Sequence, residues 1–202
     1  MNNSKVKDNL IAVSREAFLK SGFKGVSMRD ISRLTGMALG NIYYYFPSKD
    51  ALYKEVLRPL TQRLEKVMAE HNNDVNLTLV VFEKTPDEYP FIWHFTEIVA
   101  EFRSELNLLF FHSQGSSLEN YPNCLVERAE IMGKEYLKRM KEKFPHINSD
   151  ISPFLMRIIS SIQITIMREL VSREDVPDGE FRQFVREYSL FNASGWRALL
   201  RV

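Results

Sequence analysis

Apolar and polar residues repeat with a helical period along almost the whole chain. Near the start, apolar or small side chains recur at spacings of three and four, at Leu10, Val13, Ser14, Ala17 and Phe18. This spacing places them on one face of an α-helix. No stretch shows the sustained alternation of a half-buried β-strand. The pattern predicts an all-α protein with about nine helices.

Glycines and capping residues divide the first fifty residues into three short helices and the start of a fourth. Gly22 ends the first helix, because glycine readily adopts the left-handed conformation that closes a helix. Ser27 is a candidate N-cap for the second helix, with Asp30 three residues later as an imperfect capping-box partner. A short third helix is expected over residues 39–44, and Ser48 caps a long fourth helix. The apolar residues on one side of this fourth helix are Leu52, Val56, Leu60, Leu64 and Val67.

The rest of the chain predicts longer helices joined by polar loops. The segment 86–111 is expected to form one or two helices, with a break near residues 102–104. A loop follows at 112–123, where glycine, serine, asparagine and proline are concentrated. Further helices are predicted at 125–143, 150–172 and 179–200.

Three short helices separated by glycine-containing turns are the layout of a helix-turn-helix DNA reader. In such a domain the second helix braces against the DNA backbone, and the third enters the major groove. The charge distribution agrees with this interpretation. Residues 1–60 contain 10 Lys and Arg against 5 Asp and Glu, whereas residues 61–202 contain 17 against 21. A basic N-terminal part on a mildly acidic body points to a polyanionic partner for the first part only.

The stretch from Gly25 to Leu52, which includes GMALGNIYYYFPSKDAL, resembles the TetR/AcrR family of bacterial regulators. The resemblance begins near Leu10 and ends at about Leu57, roughly a quarter of the chain. The positions that fall at the family's spacing are Phe18, Gly22, Ile31, Gly36, Gly40, Tyr43, Phe46, Lys49 and Leu52. The resemblance implies a helix-turn-helix domain in residues 1–48 and a larger helical ligand-binding and dimerisation domain in residues 49–202.

The resemblance also implies which side chains contact DNA. Ser27 and Lys49 are expected to bind phosphates, and Arg29 a base or a phosphate. The leading edge of the recognition helix comprises Leu39, Gly40 and Asn41, and hydroxyl groups for phosphates come from Tyr43, Tyr44 and Tyr45. Ala38 departs from the family, which usually has Ser or Thr there. Alanine has no side-chain acceptor for the helix N-terminus, which costs about 1 kcal/mol of local stability.

Aromatic residues are concentrated in the middle of the chain, where the resemblance implies a small-molecule pocket. Apolar rings with a few polar groups are what a small organic effector requires; the alternative is that they fill a core. The candidate pocket residues are Phe91, Trp93, His94, Phe95, Phe102, Phe110, Phe111, Gln114, Met132 and Tyr136.

The last two predicted helices carry apolar faces, which the resemblance assigns to a homodimer interface built as a four-helix bundle. The expected interface residues are Ile158, Ile162, Ile166, Phe184, Tyr188, Phe191 and Trp196. A two-fold dimer places two recognition helices about one turn of DNA apart, which matches a palindromic operator.

We therefore expect a DNA-binding transcriptional repressor that a small hydrophobic or aromatic effector releases from its operator. The alternative is a DNA-binding protein of the same fold without an effector, controlled by a protein partner or acting in chromosome organisation. The sequence contains no catalytic motif, phosphate-binding loop or metal-ligand spacing, so we expect no enzyme, metal or cofactor. It also lacks a secretion signal and an apolar run of about 18 residues, which favours a cytoplasmic location without a membrane partner.

Overall fold

The computed structural model describes residues 3–71, 77–79, 90–173 and 175–202, with side chains described for all of these except residues 71, 90–95 and 178. These ranges contain eight α-helices and no strand, which confirms the all-α prediction and comes close to the nine helices expected. The helices are α1 (Asn3–Ser21), α2 (Met28–Thr35), α3 (Leu39–Tyr45), α4 (Lys49–His71), α5 (Pro90–Phe111), α6 (Tyr121–Lys143), α7 (Pro153–Ser172) and α8 (Asp178–Leu200).

The first three helices form where the capping residues predicted them. Ser27 caps α2: its Oγ accepts a hydrogen bond from the backbone N–H of Asp30, and the Asp30 carboxylate accepts one from the Ser27 N–H. This reciprocal pair is a complete capping box. Gly36 ends α2 with φ +68°, a conformation that glycine adopts without steric cost.

The fourth helix buries the apolar face that its spacing predicted. Ser48 Oγ accepts a hydrogen bond from the Ala51 N–H and so caps its first turn. The helix then continues through Pro59 as far as His71. The buried apolar residues at the predicted positions are Leu52, Val56, Leu60, Leu64 and Val67.

The chain forms two compact units, and each contains parts that are distant in sequence. Unit 1 comprises Met1–Arg63 and Phe102–Pro122, and unit 2 comprises Leu64–Glu101 and Asn123–Val202. The division within α5 falls at Phe102, whose φ of −122° and ψ of 27° interrupt the helix. This is the break that the sequence predicted near residues 102–104.

In unit 1 the segment Phe102–Pro122 is hydrogen-bonded to the N-terminal helices. The Phe23 N–H donates to the carbonyl of His112 at 2.9 Å, and the Ser117 N–H and hydroxyl donate to the Asp50 carboxylate at 2.7 and 2.8 Å. The Arg15 guanidinium pairs with Glu105 at 2.6 Å. These contacts make the segment part of the N-terminal unit.

Tyr53 of α4 lies at the centre of unit 1 with no exposed surface. Its ring packs edge-on against Phe18 and Phe23, with centroids 5.0 and 4.9 Å away. Ser113 donates its hydroxyl proton to the carbonyl of Leu108 at 3.1 Å, so the Ser113 oxygen accepts from the Tyr53 hydroxyl at 2.7 Å. Burial raises the pKa of Tyr53 to about 12, which keeps the phenol protonated as a donor.

Unit 2 has its own apolar core, formed by residues from α6, α7, the end of α8, the segment 77–79 and the loop after α6. The buried members of this cluster are Leu77, Leu137, Met140, Ile147, Met156 and Leu200. Asn148 fixes the end of α8 to the loop after α6, because its amide N–H2 donates to the Leu199 carbonyl at 2.8 Å and its backbone N–H to the Leu200 carbonyl at 2.9 Å. Among the described residues, no helix has both the length and the apolar character needed to cross a bilayer.

Replacing Tyr53 with Phe keeps the packed ring and removes the hydroxyl from the buried hydrogen bond with Ser113. We expect Tyr53→Phe to lower the free energy of unfolding by about 1 kcal/mol, the typical contribution of one buried hydrogen bond. Urea unfolding followed by circular dichroism measures it. The matched control is Tyr44→Phe, whose ring is 78% exposed and which should change the stability by less than about 0.5 kcal/mol. Equal effects of the two substitutions would contradict this account of the Tyr53 hydroxyl.

Candidate DNA-binding interface

The third helix buries one side in unit 1 and exposes the other. Ile42 and Phe46 are buried, whereas Gly40, Asn41 and Tyr44 are exposed. On a helix of seven residues this distribution leaves one continuous outer surface that carries an amide and a phenol group. Both groups donate and accept hydrogen bonds, as contacts with base edges and phosphates require.

The three consecutive tyrosines have different environments. Tyr44 is 78% and Tyr43 45% exposed, whereas Tyr45 is half-buried and its hydroxyl donates to the Asn3 side chain at the start of α1. The Tyr45 ring also packs edge-on against that of Tyr44, with centroids 5.3 Å apart. Tyr45 is therefore the tyrosine that turns inward, and it supports the ring of Tyr44 from behind.

The turn before α3 compensates for the missing cap at Ala38. Ala38 makes no side-chain bond to the helix, as expected for alanine, although its carbonyl accepts from the N–H groups of Asn41 and Ile42. Two side chains of α2 hold the turn instead. Ser32 Oγ donates to the Met37 carbonyl at 2.6 Å, and Thr35 Oγ1 accepts from the Met37 N–H at 3.3 Å.

The start of α2 holds the two other predicted contact residues at the surface. Ser27 and Arg29 are both exposed. The Ser27 hydroxyl donates to Asp30 at 2.6 Å, and the hydrogen bonds from Ser27 lower the pKa of that carboxyl group. Arg33 forms an ion pair with the same carboxylate. The Ser27 side chain thus acts as the N-cap of α2, and the Arg29 side chain is exposed in the first turn of that helix.

Lys49, at the start of α4, is bonded within the protein. Its Nζ donates to the carbonyls of Phe23 and Val26 at 2.8 and 2.9 Å and lies 4.0 Å from the centre of the Phe23 ring. Burial lowers the pKa of its ammonium group. Lys49 therefore ties the loop between α1 and α2 to α4, with one N–H left beyond those two bonds. The sequence did not predict this structural role.

The predicted pocket residues lie in different parts of the structure. The side chains of Phe91, Trp93, His94 and Phe95 lie outside the described residues. Four others belong to unit 1, namely Phe102, Phe110, Phe111 and Gln114. Gln114 is exposed and donates to the carbonyl of Phe111, and Tyr136 packs against the apolar core of unit 2.

Two small cavities lie next to each other in unit 2. The first, between α5, α7 and α8, has a volume of about 40 Å³ and includes Thr96, Tyr188 and Asn192 in its wall. The second, between α4, α5, α6 and α7, has a volume of about 20 Å³ and is lined by Met132 among other apolar residues. Gln163 and Met167 line both cavities. Of the described candidate pocket residues, Met132 is the one that reaches these cavities.

The predicted dimer residues divide into an exposed and a half-buried group. Ile158 and Ile162 are each 41% exposed and Phe191 is 74% exposed, and the neighbouring Phe154 and Leu190 are exposed as well. The half-buried group comprises Ile166, Phe184 and Tyr188, which line the first cavity, and Trp196, which packs against the core of unit 2. In the described part of the chain, no three acidic, histidine or cysteine side chains come together as metal ligands.

Comparison with known proteins places the similarity where α1 to α4 lie. The family profile described as bacterial regulatory proteins, tetR family, matches residues 10–56. The chain is 39% identical over 54 residues to the HTH-type transcriptional regulator RutR of Escherichia coli strain K12, over 27% of this chain and 26% of RutR. It is 35% identical over 52 residues to the regulator QacR of Staphylococcus aureus, over 26% of this chain and 28% of QacR. The chain thus matches about a quarter of the length of these relatives.

The fold is shared over a much longer stretch. NalD of Pseudomonas aeruginosa, described as the secondary repressor of a multidrug efflux pump, superposes with a TM-score of 0.67. The superposition covers 99% of this chain and 98% of NalD, at 18% sequence identity. The described residues therefore share the fold of NalD at low sequence identity.

Replacing Lys49 with Met removes two hydrogen bonds from a charged donor and a cation–π contact while keeping the length of the side chain. We expect Lys49→Met to lower the free energy of unfolding by about 1–3 kcal/mol, measured by urea unfolding. The control is Lys54→Met on the exposed side of α4, which loses one surface ion pair with Asp50 and should cost about 0–1 kcal/mol. If both variants unfold like the unmodified protein, Lys49 does not hold the loop.

Proposed function

Because residues 10–56 match the profile of the tetR family of bacterial regulatory proteins, we propose that this chain is a tetR-type, sequence-specific transcriptional repressor. It acts as a homodimer on a palindromic operator in double-stranded DNA and is released by a small hydrophobic or aromatic effector. Such a regulator acts on the chromosome, which implies a cytoplasmic location. The observation that carries the proposal is the outer surface of α3, where Asn41 and Tyr44 are exposed on a helix braced from behind.

The exposed surface of α3 suits the major groove, which admits one α-helix and displays a distinct hydrogen-bonding pattern for each base pair. Asn41 is placed to read base edges, and Gly40 allows close approach of the backbone. Around this centre, Arg29, Tyr43 and the remaining N–H of Lys49 are placed for phosphate contacts, which fix the orientation of the protein on DNA. Leu39 adds an apolar contact for thymine methyl groups.

The exposed apolar stripe on α7 and α8 supports the homodimer. Phe154, Ile158 and Ile162 follow each other at intervals of four on α7, and Leu190 and Phe191 are exposed on α8. A row of exposed apolar side chains, as on α7, is typical of an interaction site. A two-fold interface uses the same patch on both copies, so the second copy covers the stripe of the first.

An effector in unit 2 has two continuous routes to the DNA-binding unit. The fourth helix and the fifth helix each begin in one unit and end in the other. The end of α5 continues into His112, whose carbonyl accepts from Phe23 next to the start of α2. We propose that effector binding changes the course of these helices and thereby the spacing of the two recognition helices in the dimer.

The small size of the two cavities in unit 2 favours a second candidate function. A protein of the same fold without an effector would regulate DNA through a protein partner or act in chromosome organisation. Pockets for drug-sized ligands have volumes of about 300–1,000 Å³, well above these two cavities, whereas two more open grooves at the surface of unit 2 measure about 350 and 280 Å³. One measurement distinguishes the two candidate functions, namely whether a small molecule changes the affinity of the protein for its operator.

Replacing Tyr44 with Ala removes the most exposed ring of the proposed reading surface. We expect Tyr44→Ala to weaken operator binding at least about tenfold, because it loses a phosphate or base contact together with apolar contact area. Fluorescence anisotropy with a labelled operator measures the affinity, and sedimentation checks that the dimer is intact. The control is Lys66→Ala, an exposed charge change in unit 2, which should leave the affinity unchanged. If Tyr44→Ala binds the operator as tightly as the unmodified protein, α3 is not part of the DNA interface.

Placing a charge in the apolar stripe should separate the two copies. We expect Ile158→Glu and Phe191→Glu to convert the dimer into monomers in sedimentation velocity at micromolar concentration, because a buried unpaired carboxylate is costly. The control is Ile131→Glu on α6, an exposed isoleucine (68%) outside the predicted interface. This variant should remain dimeric. If all three variants remain dimeric, the interface does not lie on α7 and α8.

A further inference from the structure

The two cavities of unit 2 lie on either side of one row of side chains. Gln163 and Met167 are four residues apart and therefore lie on the same face of α7. Both residues contribute to the walls of both cavities. Ile166 and Leu170 line the first cavity, and Ile164 lines the second. The row formed by Gln163 and Met167 is thus the partition between two spaces that otherwise adjoin.

The partition contains the side chain best suited to move. Met167 is almost fully buried, and methionine is unbranched, with three rotatable bonds and a polarisable thioether. A thioether has no hydrogen to donate and is at most a weak acceptor, so a change of rotamer at Met167 breaks no strong hydrogen bond. Met167 is therefore the residue of the partition through which the two cavities could be joined.

The side chains that line the two cavities disfavour a charged ligand. The described walls of the two cavities contain no acidic or basic side chain. The polar groups are hydroxyls and amides, and in the second cavity Gln163 is the one amide among aliphatic and methionine side chains. Burial of an unpaired charge in such a site costs several kcal/mol, whereas an uncharged ligand with one hydrogen-bonding group is readily accommodated.

Gln163 is available as the hydrogen-bonding partner. Its amide makes no hydrogen bond to another side chain or backbone group within the described part of the chain, although the residue is half-buried. An amide can accept from a donor and donate to an acceptor, so it can orient a ligand of either kind.

We propose that the effector is a small uncharged molecule, that it occupies the joined cavities after displacing Met167, and that the Gln163 amide binds its polar group. This inference rests on the proposed function, because it names the effector class and the site of that regulator. It differs from the sequence prediction, which placed the pocket among the aromatic residues of the chain's middle.

The test uses indole as the probe, with tryptamine and indole-3-acetate as its positively and negatively charged counterparts. Isothermal titration calorimetry on the DNA-free full-length protein measures their binding. We expect indole to bind, Met167→Ala to tighten binding at least about tenfold because the partition is removed, and both charged compounds to bind at least about 100-fold more weakly.

The contribution of the amide is tested in the Met167→Ala background. There Gln163→Leu, which keeps the size and removes the amide, should weaken indole binding about three- to tenfold. The matched control is Gln183→Leu, the same change at an exposed site on α8, which should leave binding unchanged. Thermal melting confirms that each variant is folded.

Absence of indole binding to both the unmodified protein and Met167→Ala overturns the proposal, as does equal binding of a charged compound. Equal binding by Gln163→Leu overturns the role of the amide. Operator release is measured separately by anisotropy. If indole binds in the cavities and the operator stays bound, the ligand site stands and the effector role in the proposed function fails. If the protein does not bind the operator at all, the regulator proposal fails, while calorimetry still decides the site.

Discussion

Unit 1 depends on Phe23, a buried residue that connects the loop between α1 and α2 to α4 and to the segment after α5. Its ring lies 4.9 Å from that of Tyr53 and beneath the Lys49 ammonium at 4.0 Å, both on α4. Its backbone N–H bonds to His112 and its carbonyl accepts from Lys49. Apolar burial, a cation–π contact and two backbone hydrogen bonds therefore converge on the loop between α1 and α2. Because α2 begins only five residues later, its position is set by these contacts.

The exposed face of α3 follows from that constraint. With α2 held at its start by the capping box of Ser27 and at its end by Gly36, the short α3 is attached by Ile42, Phe46 and the hydrogen bond from Tyr45 to α1. Its exposed side chains are then available for a partner. The hydrogen bonds that Ser32 and Thr35 form with Met37 stabilise the turn before α3, in place of a capping side chain at position 38. A short helix in water would not persist alone, so its order comes from the unit behind it.

Local features of the structure were predictable from sequence to a large extent, and long-range features were not. The capping box at Ser27, the end of α2 at Gly36, the buried face of α4 and the break at Phe102 each arise from residues close in sequence. The two cavities, in contrast, are formed by five helices, α4 to α8. Nothing in the sequence distinguishes Gln163 and Met167 from the other residues of a helix that is rich in Ile and Met. Lys49 resembled a phosphate ligand because its position fits a motif, whereas its bonds to Phe23 and Val26 depend on the fold of residues more than twenty positions away. The spacing of apolar residues along the chain predicts which side chains share one face of a helix. It does not predict which helix faces pack against each other.

The proposed function requires that α3, which a two-fold dimer presents twice, binds base edges in the major groove of DNA. The most direct measurement is selection of bound duplexes from a random pool by the purified full-length protein, followed by affinity measurements across salt concentrations. We expect an enriched site with two-fold symmetry and half-sites about one helical turn apart. We also expect the affinity to fall steeply with salt, since phosphate contacts release counterions. No enriched sequence, together with an affinity that does not change with salt, would contradict the proposed function.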